Sequence, residues 1–157
     1  MNISDLLVPG AVMASLKVQS KKQLLQEVSQ RAAQIIRIPE RKIFETLTER
    51  ERLGSTGVGQ GIAIPHGRLS DITTIAGVFA RLESPIDYDA VDKQPVDLVF
   101  MLLAPEGAGA DHLKALARVS RLLRNQNATE KLRAAKSAEA LYAILTDTTG
   151  VSGAQAA

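Results

Sequence analysis

Two histidines, His66 and His112, and no cysteine occur in this chain. A disulfide framework, a thiol nucleophile and a cysteine-based zinc site are therefore excluded. His66 closes the stretch GSTGVGQGIAIPHG, Gly54 to Gly67, in which four glycines fall within eight residues ahead of Ile62, Ala63, Ile64 and Pro65. Ile62, Ile64 and His66 alternate at period two, which predicts one face of a strand with the imidazole at its end, where α/β sheets tend to place their sites. His112 opens a long amphipathic segment and shares a face with Leu116, Val119 and Leu123, so it is expected to point inward near a helix N-terminus. Free N–H groups and the positive end of the helix dipole favour an anion there. Arg50 follows Ile43 and Leu47 at i+7 and i+3 on the buried side of its helix, whereas Arg52 joins Glu45 and Glu49 on the solvated side. Between these groups lies a loop whose bare backbone can approach a ligand closely, helped by the hydroxyls of Ser55 and Thr56. Three inward, potentially cationic groups, a donor-rich loop and no carboxylate assigned to them describe an anion site, with phosphate the obvious candidate.

Other uses of the same residues fit less well. A P-loop needs a lysine after its last glycine, and none occurs between Lys42 and Lys93. A dinucleotide fingerprint fails because Ile62 or Ile64 stands at the third glycine position and because the helix precedes the loop. Zinc needs a third or fourth ligand, and no His-x-x-x-His or His-Glu pair is present, so no metal is expected. Gly-x-Ser-x-Gly, the serine hydrolase turn, is absent. The bland readings are a plain flexible connection for the loop, satisfied core histidines, and an arginine at a helix C-terminus.

The elements that must position these groups follow from caps and periodicity. Ser20 caps a helix through KKQLLQEVSQRAAQII, and Pro39 starts PERKIFETLTERERL, which Gly54 stops. GIAI reads as a short strand cut off by Pro65, which has no N–H for a ladder. Ile75 to Leu82 and Val96 to Leu103 are expected as buried central strands. A helix from Asp111 to about Asn125 follows, then two shorter ones capped by Asn127 and Ser137, and Gly150 to Ala157 reads as a flexible tail. The expectation is a single α/β domain over 1–149, a mixed sheet of about five strands flanked by helices on both faces. With 19 basic against 17 acidic residues, three Phe, two Tyr and no Trp, a base-stacking nucleic-acid surface is not expected. Lys114, Arg118 and Arg121 are expected on the outer face of the long helix, a stripe that would serve a non-covalent binding module. No basic leader precedes an apolar run and no run is long enough to span a bilayer, so a soluble, unexported, cytoplasmic protein is expected without membrane insertion.

The run RERLGSTGVGQGIAIPHG, Arg50 to Gly67, closely resembles the active-site signature of the IIA proteins of the bacterial phosphoenolpyruvate phosphotransferase system. Within them it is similar to the nitrogen-regulatory branch of the mannitol/fructose IIA superfamily. FARLESPIDYDAVDKQPVDLVFMLLAPEGAGADHLKALARVSRLL, Phe79 to Leu123, extends the resemblance through the second histidine. Gln60 stands where the family often has Asn, and Val58 where it often has Ile. The resemblance implies that His66 accepts a phosphoryl group on Nε2 while a backbone carbonyl holds Nδ1–H. It implies His112 as a second active-site histidine on the phosphoryl group and Arg50 as a nearby cation, with Ser55, Thr56, Gly57 and Gln60 in the phosphate-binding loop. No nucleotide, metal or other cofactor is implied, because the donor is the phosphohistidine of a small histidine-containing phosphocarrier protein. Regulatory partners such as potassium-transport regulators or sensor kinases are implied downstream. The neighbouring alternative is a sugar-specific IIA component that passes its phosphate to a IIB domain.

Overall fold

The computed structural model describes residues 1–148; the expected tail, Gly150 to Ala157, lies outside them. Two short 3-10 turns, Ile3–Asp5 and Pro9–Ala11, lead into β1 (Val12–Leu16). Helix α1 (Lys21–Ile36) starts where expected, with the Ser20 hydroxyl accepting from the Gln23 amide at 3.1 Å. It buries Leu24, Leu25, Val28 and Ala32 on one stripe and stops at Arg37, which sits in the left-handed region. Helix α2 (Glu40–Arg52) buries Ile43 and Leu47. Pro39 stands just outside it, its carbonyl accepting from Ile43.

Three short strands follow: β2 (Gly57–Gly59), β3 (Ile62–Ala63) and β4 (His66–Leu69). Two long ones, β5 (Ala76–Ile86) and β6 (Val96–Pro105), form the centre of the sheet. The strand order is β1-β5-β6-β3-β2, with β4 also paired to β6. β5 and β6 run antiparallel, while β1 is parallel to β5 and both β3 and β4 are parallel to β6. Every residue from Leu98 to Ala104 is fully buried. A continuous buried run means that both faces of the sheet are covered, as expected of central strands between helical layers.

The short strand stops before Pro65, as expected, but the chain resumes pairing at once with β4. Ile62 pairs with Leu98 and His66 with Leu102, so the register along β6 is unbroken across the interruption. The proline lacks only an N–H; its carbonyl still accepts from Leu102 at 2.9 Å and carries the ladder forward. β3 and β4 thus lie end to end along the same edge of β6 in a six-stranded sheet.

Helix α3 (Gly109–Arg124) begins two residues before the expected Asp111, and the helices α4 (Gln126–Ala134) and α5 (Ala138–Thr146) complete the described chain. Asn125, not Asn127, caps α4: its side chain accepts from Ala128 at 3.1 Å, and Asn127 lies inside the helix. Ser137 caps α5 as expected. Arg118 is not on a fully solvated stripe; it is half-buried, and its Nη1 is shielded from solvent without a hydrogen-bond partner among the described residues. β1 gave no clear strand signal in its five residues, and β5 runs on past Leu82 through Pro85 with a shift of register after Arg81.

Candidate functional site

His66 opens β4, immediately after the interruption at Pro65. In an alternating strand, successive carbonyls point to opposite edges. Those of Gly61 and Pro65 serve β6, whereas the Ile64 amide faces the other way and donates to Thr56. The Ile64 carbonyl, on that same side, accepts from His66 Nδ1 at 2.8 Å. A donor at Nδ1 places the remaining lone pair on Nε2. Burial lowers the His66 pKa from its ordinary value; the Ile64 bond opposes this, the Arg50 charge adds to it and the Glu51 charge opposes it. The ring is therefore neutral and nucleophilic at neutral pH.

Gly67, next in sequence, lets α2 lie against β4. A Cβ there would sit 2.5 Å from Thr46 Cγ2. This close approach brings the C-terminal end of α2, with Arg50, toward the imidazole. Arg50 is half-buried and donates from Nη1 to the Gly54 carbonyl at 2.9 Å, while Arg52 is exposed, as the helical wheel predicts.

His112 lies in the first turn of α3, 4 % exposed. Its amide already donates to Ala108, so the free amides of this helix precede it. The ring meets that of His66 edge-on, with centroids 5.7 Å apart and planes at 70°. Arg68, two residues after His66 on the same face of β4, donates from Nε to His112 Nδ1 at 3.2 Å. His112 Nε2 is buried and has no hydrogen-bond partner among the described residues. Burial lowers the His112 pKa, and the neighbouring His66 and Arg68 lower it further.

The glycine-rich loop is tied down rather than open. The Thr56 amide donates to Glu51 Oε1 at 3.0 Å, its hydroxyl bonds Glu51 Oε2, and Tyr88 contributes a further bond to that carboxylate at 3.2 Å. Lys21 completes the cluster with an ion pair to Glu51 at 2.9 Å. Burial, then the Glu51 charge, pushes the Tyr88 hydroxyl pKa far upward, so Tyr88 stays a neutral donor. Ser55 accepts from the Gly57 amide at 3.1 Å and donates to the Tyr88 carbonyl at 3.3 Å.

Gln60 and Gly61, both at positive φ (58° and 83°), form the two-residue turn between β2 and β3. Such a turn favours Asn-Gly. The Gln60 amide donates to Asp92 at 2.9 Å, and its carbonyl accepts from Arg133, which also grips Asp97 with two bonds. Fixed partners on both sides hold Gln60 in a conformation that its own side chain does not favour.

The fold thus gathers His66 and His112, with Arg50 near enough to act on the imidazole. It gives Ser55, Thr56 and Gly57 polar partners in the loop, in α2 and at Tyr88, and places Gln60 at an exposed turn. Glu51, Tyr88 and Arg68 were missed. The signal for Arg68 was present, since i+2 from His66 on a strand shares its face; Glu51 and Tyr88 lie 37 residues apart and meet only in the folded chain. Among the described residues no three His, Cys, Asp or Glu side chains gather as metal ligands, and no helix is long and apolar enough to cross a membrane.

The fold is a mixed, helix-flanked sheet with two histidine rings meeting beside its interrupted strand, and the chain belongs to the EIIA type 2 family of the phosphoenolpyruvate-dependent sugar phosphotransferase system, whose sequence model matches residues 5–148. Within that family the chain is similar to proteins called nitrogen regulatory proteins. It is 58% identical over 145 residues to the nitrogen regulatory protein of Bradyrhizobium diazoefficiens, covering 92% of this chain and 95% of that one. The crystal structure of the nitrogen regulatory protein IIA-Ntr of Neisseria meningitidis superposes with a TM-score of 0.87 at 38% identity, covering 92% of this chain and 99% of that one. The fructose-specific EIIABC component of Bacillus subtilis is 34% identical over 146 residues, 92% of this chain but 23% of that protein.

Proposed function

We propose that the chain is a regulatory phosphocarrier of the cytoplasm: His66 accepts a phosphoryl group from a histidine-containing phosphocarrier protein, and the phosphorylated and free forms act differently on partner proteins. The observation that carries this reading is the Nδ1 bond to Ile64, which leaves the Nε2 lone pair of a neutral, half-exposed imidazole as the nucleophile. In the transfer, Nε2 forms the new P–N bond, the donor's P–N bond breaks, and its electron pair returns to the donor imidazole. Nδ1–H stays on the Ile64 carbonyl, which offsets the positive charge the ring gains. Phosphoryl transfer needs positioning and charge stabilisation more than covalent help. Arg50 and His112 supply these, the loop of Ser55, Thr56 and Gly57 holds the geometry, and a direct phosphate contact from that loop or from Gln60 requires exchange of the bonds described above. Exposed Leu53, Val58 and Leu113, the last beside His112, suit a transient protein interface.

The test is incubation with phosphoenolpyruvate and the general phosphocarrier enzymes, read by intact mass at neutral and acidic pH. An acid-labile gain of one phosphoryl group, absent in His66→Ala, is expected. Normal acceptance by His66→Ala overturns the assignment. Potassium-transport regulators and sensor kinases are the partners we propose on similarity to the nitrogen regulatory proteins. A second reading, a sugar-specific IIA component, is favoured by the likeness to the fructose-specific protein; rapid passage of the phosphoryl group to a sugar-specific IIB domain would establish it instead.

A further inference from the structure

The contacts of His112 are asymmetric. Its Nδ1 faces the Nε–H of Arg68 at 3.2 Å, and a guanidinium can only donate. Nδ1 must therefore be unprotonated, and a neutral ring then carries its hydrogen on Nε2. That N–H is buried and donates to nothing among the described residues. An orphaned buried donor costs about 1–3 kcal/mol, and one held in place by a second residue needs a reason. The His66 ring is its neighbour, with centroids 5.7 Å apart, so a group attached to that ring's free nitrogen lies within reach of the His112 ring.

We infer that Arg68 is a positioning residue: it locks His112 in the Nε2–H form so that this hydrogen is ready for a phosphoryl oxygen on His66. The inference rests on the phosphocarrier reading for its purpose, but the lock itself is a property of the free protein. Alternation places Arg68 and His66 on the same face of β4, so one strand carries both the acceptor and the group that orients the acceptor's neighbour. Arg68 is exposed on the surface, so replacing it leaves the core intact. Its charge also opposes protonation of His112, in keeping with the lowered pKa of that ring. A cationic His112 would place a second hydrogen at Nδ1, against the guanidinium.

The experiment is long-range 1H–15N correlation on 15N-histidine-labelled protein, which separates the two neutral tautomers, with rates of phosphoryl acceptance measured on the same samples. Arg68→Met keeps the aliphatic stem and removes the donor; Arg68→Lys keeps a donor and the charge. In the wild type His112 is expected as the Nε2–H form. In Arg68→Met that preference is expected to fall to a mixture, with acceptance about tenfold slower, a fraction of the effect of losing a whole oxyanion donor. Arg68→Lys is expected to restore both. An Nδ1–H tautomer in the wild type, or an unchanged tautomer in Arg68→Met, overturns the lock. A changed tautomer with unchanged acceptance overturns its purpose. Absence of any phosphoryl gain on the wild type would instead sink the phosphocarrier reading, while the tautomer measurement still decides whether Arg68 sets the state of His112.

Discussion

Arg81 and His112 are both polar groups set against the sheet, and the protein treats them in opposite ways. Arg81 donates to the carbonyls of Ala14, Leu132, Arg133 and Ala135, tying β5 to β1 and to the end of α4. Its hydrogen-bonding capacity is used on backbone that has no other role. His112 is the more deeply buried of the two yet leaves Nε2 unsatisfied, in a ring whose centroid lies 5.7 Å from that of a second imidazole. A partnered polar group stabilises; a buried one left without a partner is held at a cost and is available to something that arrives later. The contrast separates the part of the molecule that holds the fold from the part that we propose receives a phosphoryl group.

Substitution at the two places should therefore have opposite signatures. His112→Ala is expected to slow phosphoryl acceptance by about a hundredfold, the usual effect of losing one preorganised donor, with little loss of stability, because it removes an orphan. Stopped-flow rates and urea unfolding on one sample check both halves; a large drop in stability with a normal rate would reverse the comparison. Arg81→Met should do the reverse. It leaves several carbonyls unpaired and is expected to cost about 2–3 kcal/mol of stability, while acceptance per folded molecule stays near wild type.

Gly67→Ala tests the link between the two regions. The added methyl meets the Thr46 side chain, so that side chain or α2 with it is displaced from β4, at a cost of about 1–2 kcal/mol. Because α2 carries Arg50, a fewfold slower acceptance should accompany the lower urea midpoint. The smallest effect is in pH. The His66 pKa is lowered in the fold, so the neutral acceptor persists as pH falls through the ordinary histidine value of about 6.5, and acceptance should decline only below it. The same shift makes the unfolded chain take up the proton first. The stability that this group contributes is thus present above pH 6.5 and is lost as pH falls toward the folded value. Comparing wild type with His66→Ala at pH 7.5 and 5.5 should show the wild type losing more; an equal loss would mean that His66 titrates alike in both states.

Much of this site was legible in residues close in sequence. Ser20 and Ser137 declared two helix starts, Ile43 and Leu47 placed Arg50 inward, and the alternation of Ile62, Ile64 and His66 set the imidazole at a strand end. Errors came where one residue type serves two structures. Pro65 does interrupt the strand, but its type hides that pairing resumes in register at His66, which needs only the proline carbonyl. Asn125 and Asn127 are equally good caps by type, and the first was chosen by where α3 ends. The glycine loop read as open to a ligand because sequence shows which amides exist, not which are taken. Tyr88 and Asp92, which help hold that loop, come from elsewhere in the chain, and nearby Glu51 reaches Tyr88 only in the fold.

The sequence by itself determined the chemistry available: a neutral imidazole near pH 7, no thiol, a bare loop and the inward positions of His112 and Arg50, all properties of residue type and short-range period. Only the tertiary structure decided which nitrogen of each histidine is free. That depends on a carbonyl, Ile64, turned away from the β6 ladder, and on a guanidinium, Arg68, that meets His112 from 44 residues away. Hydrogen-bond direction is a matter of two groups in space, and no period along one chain specifies it.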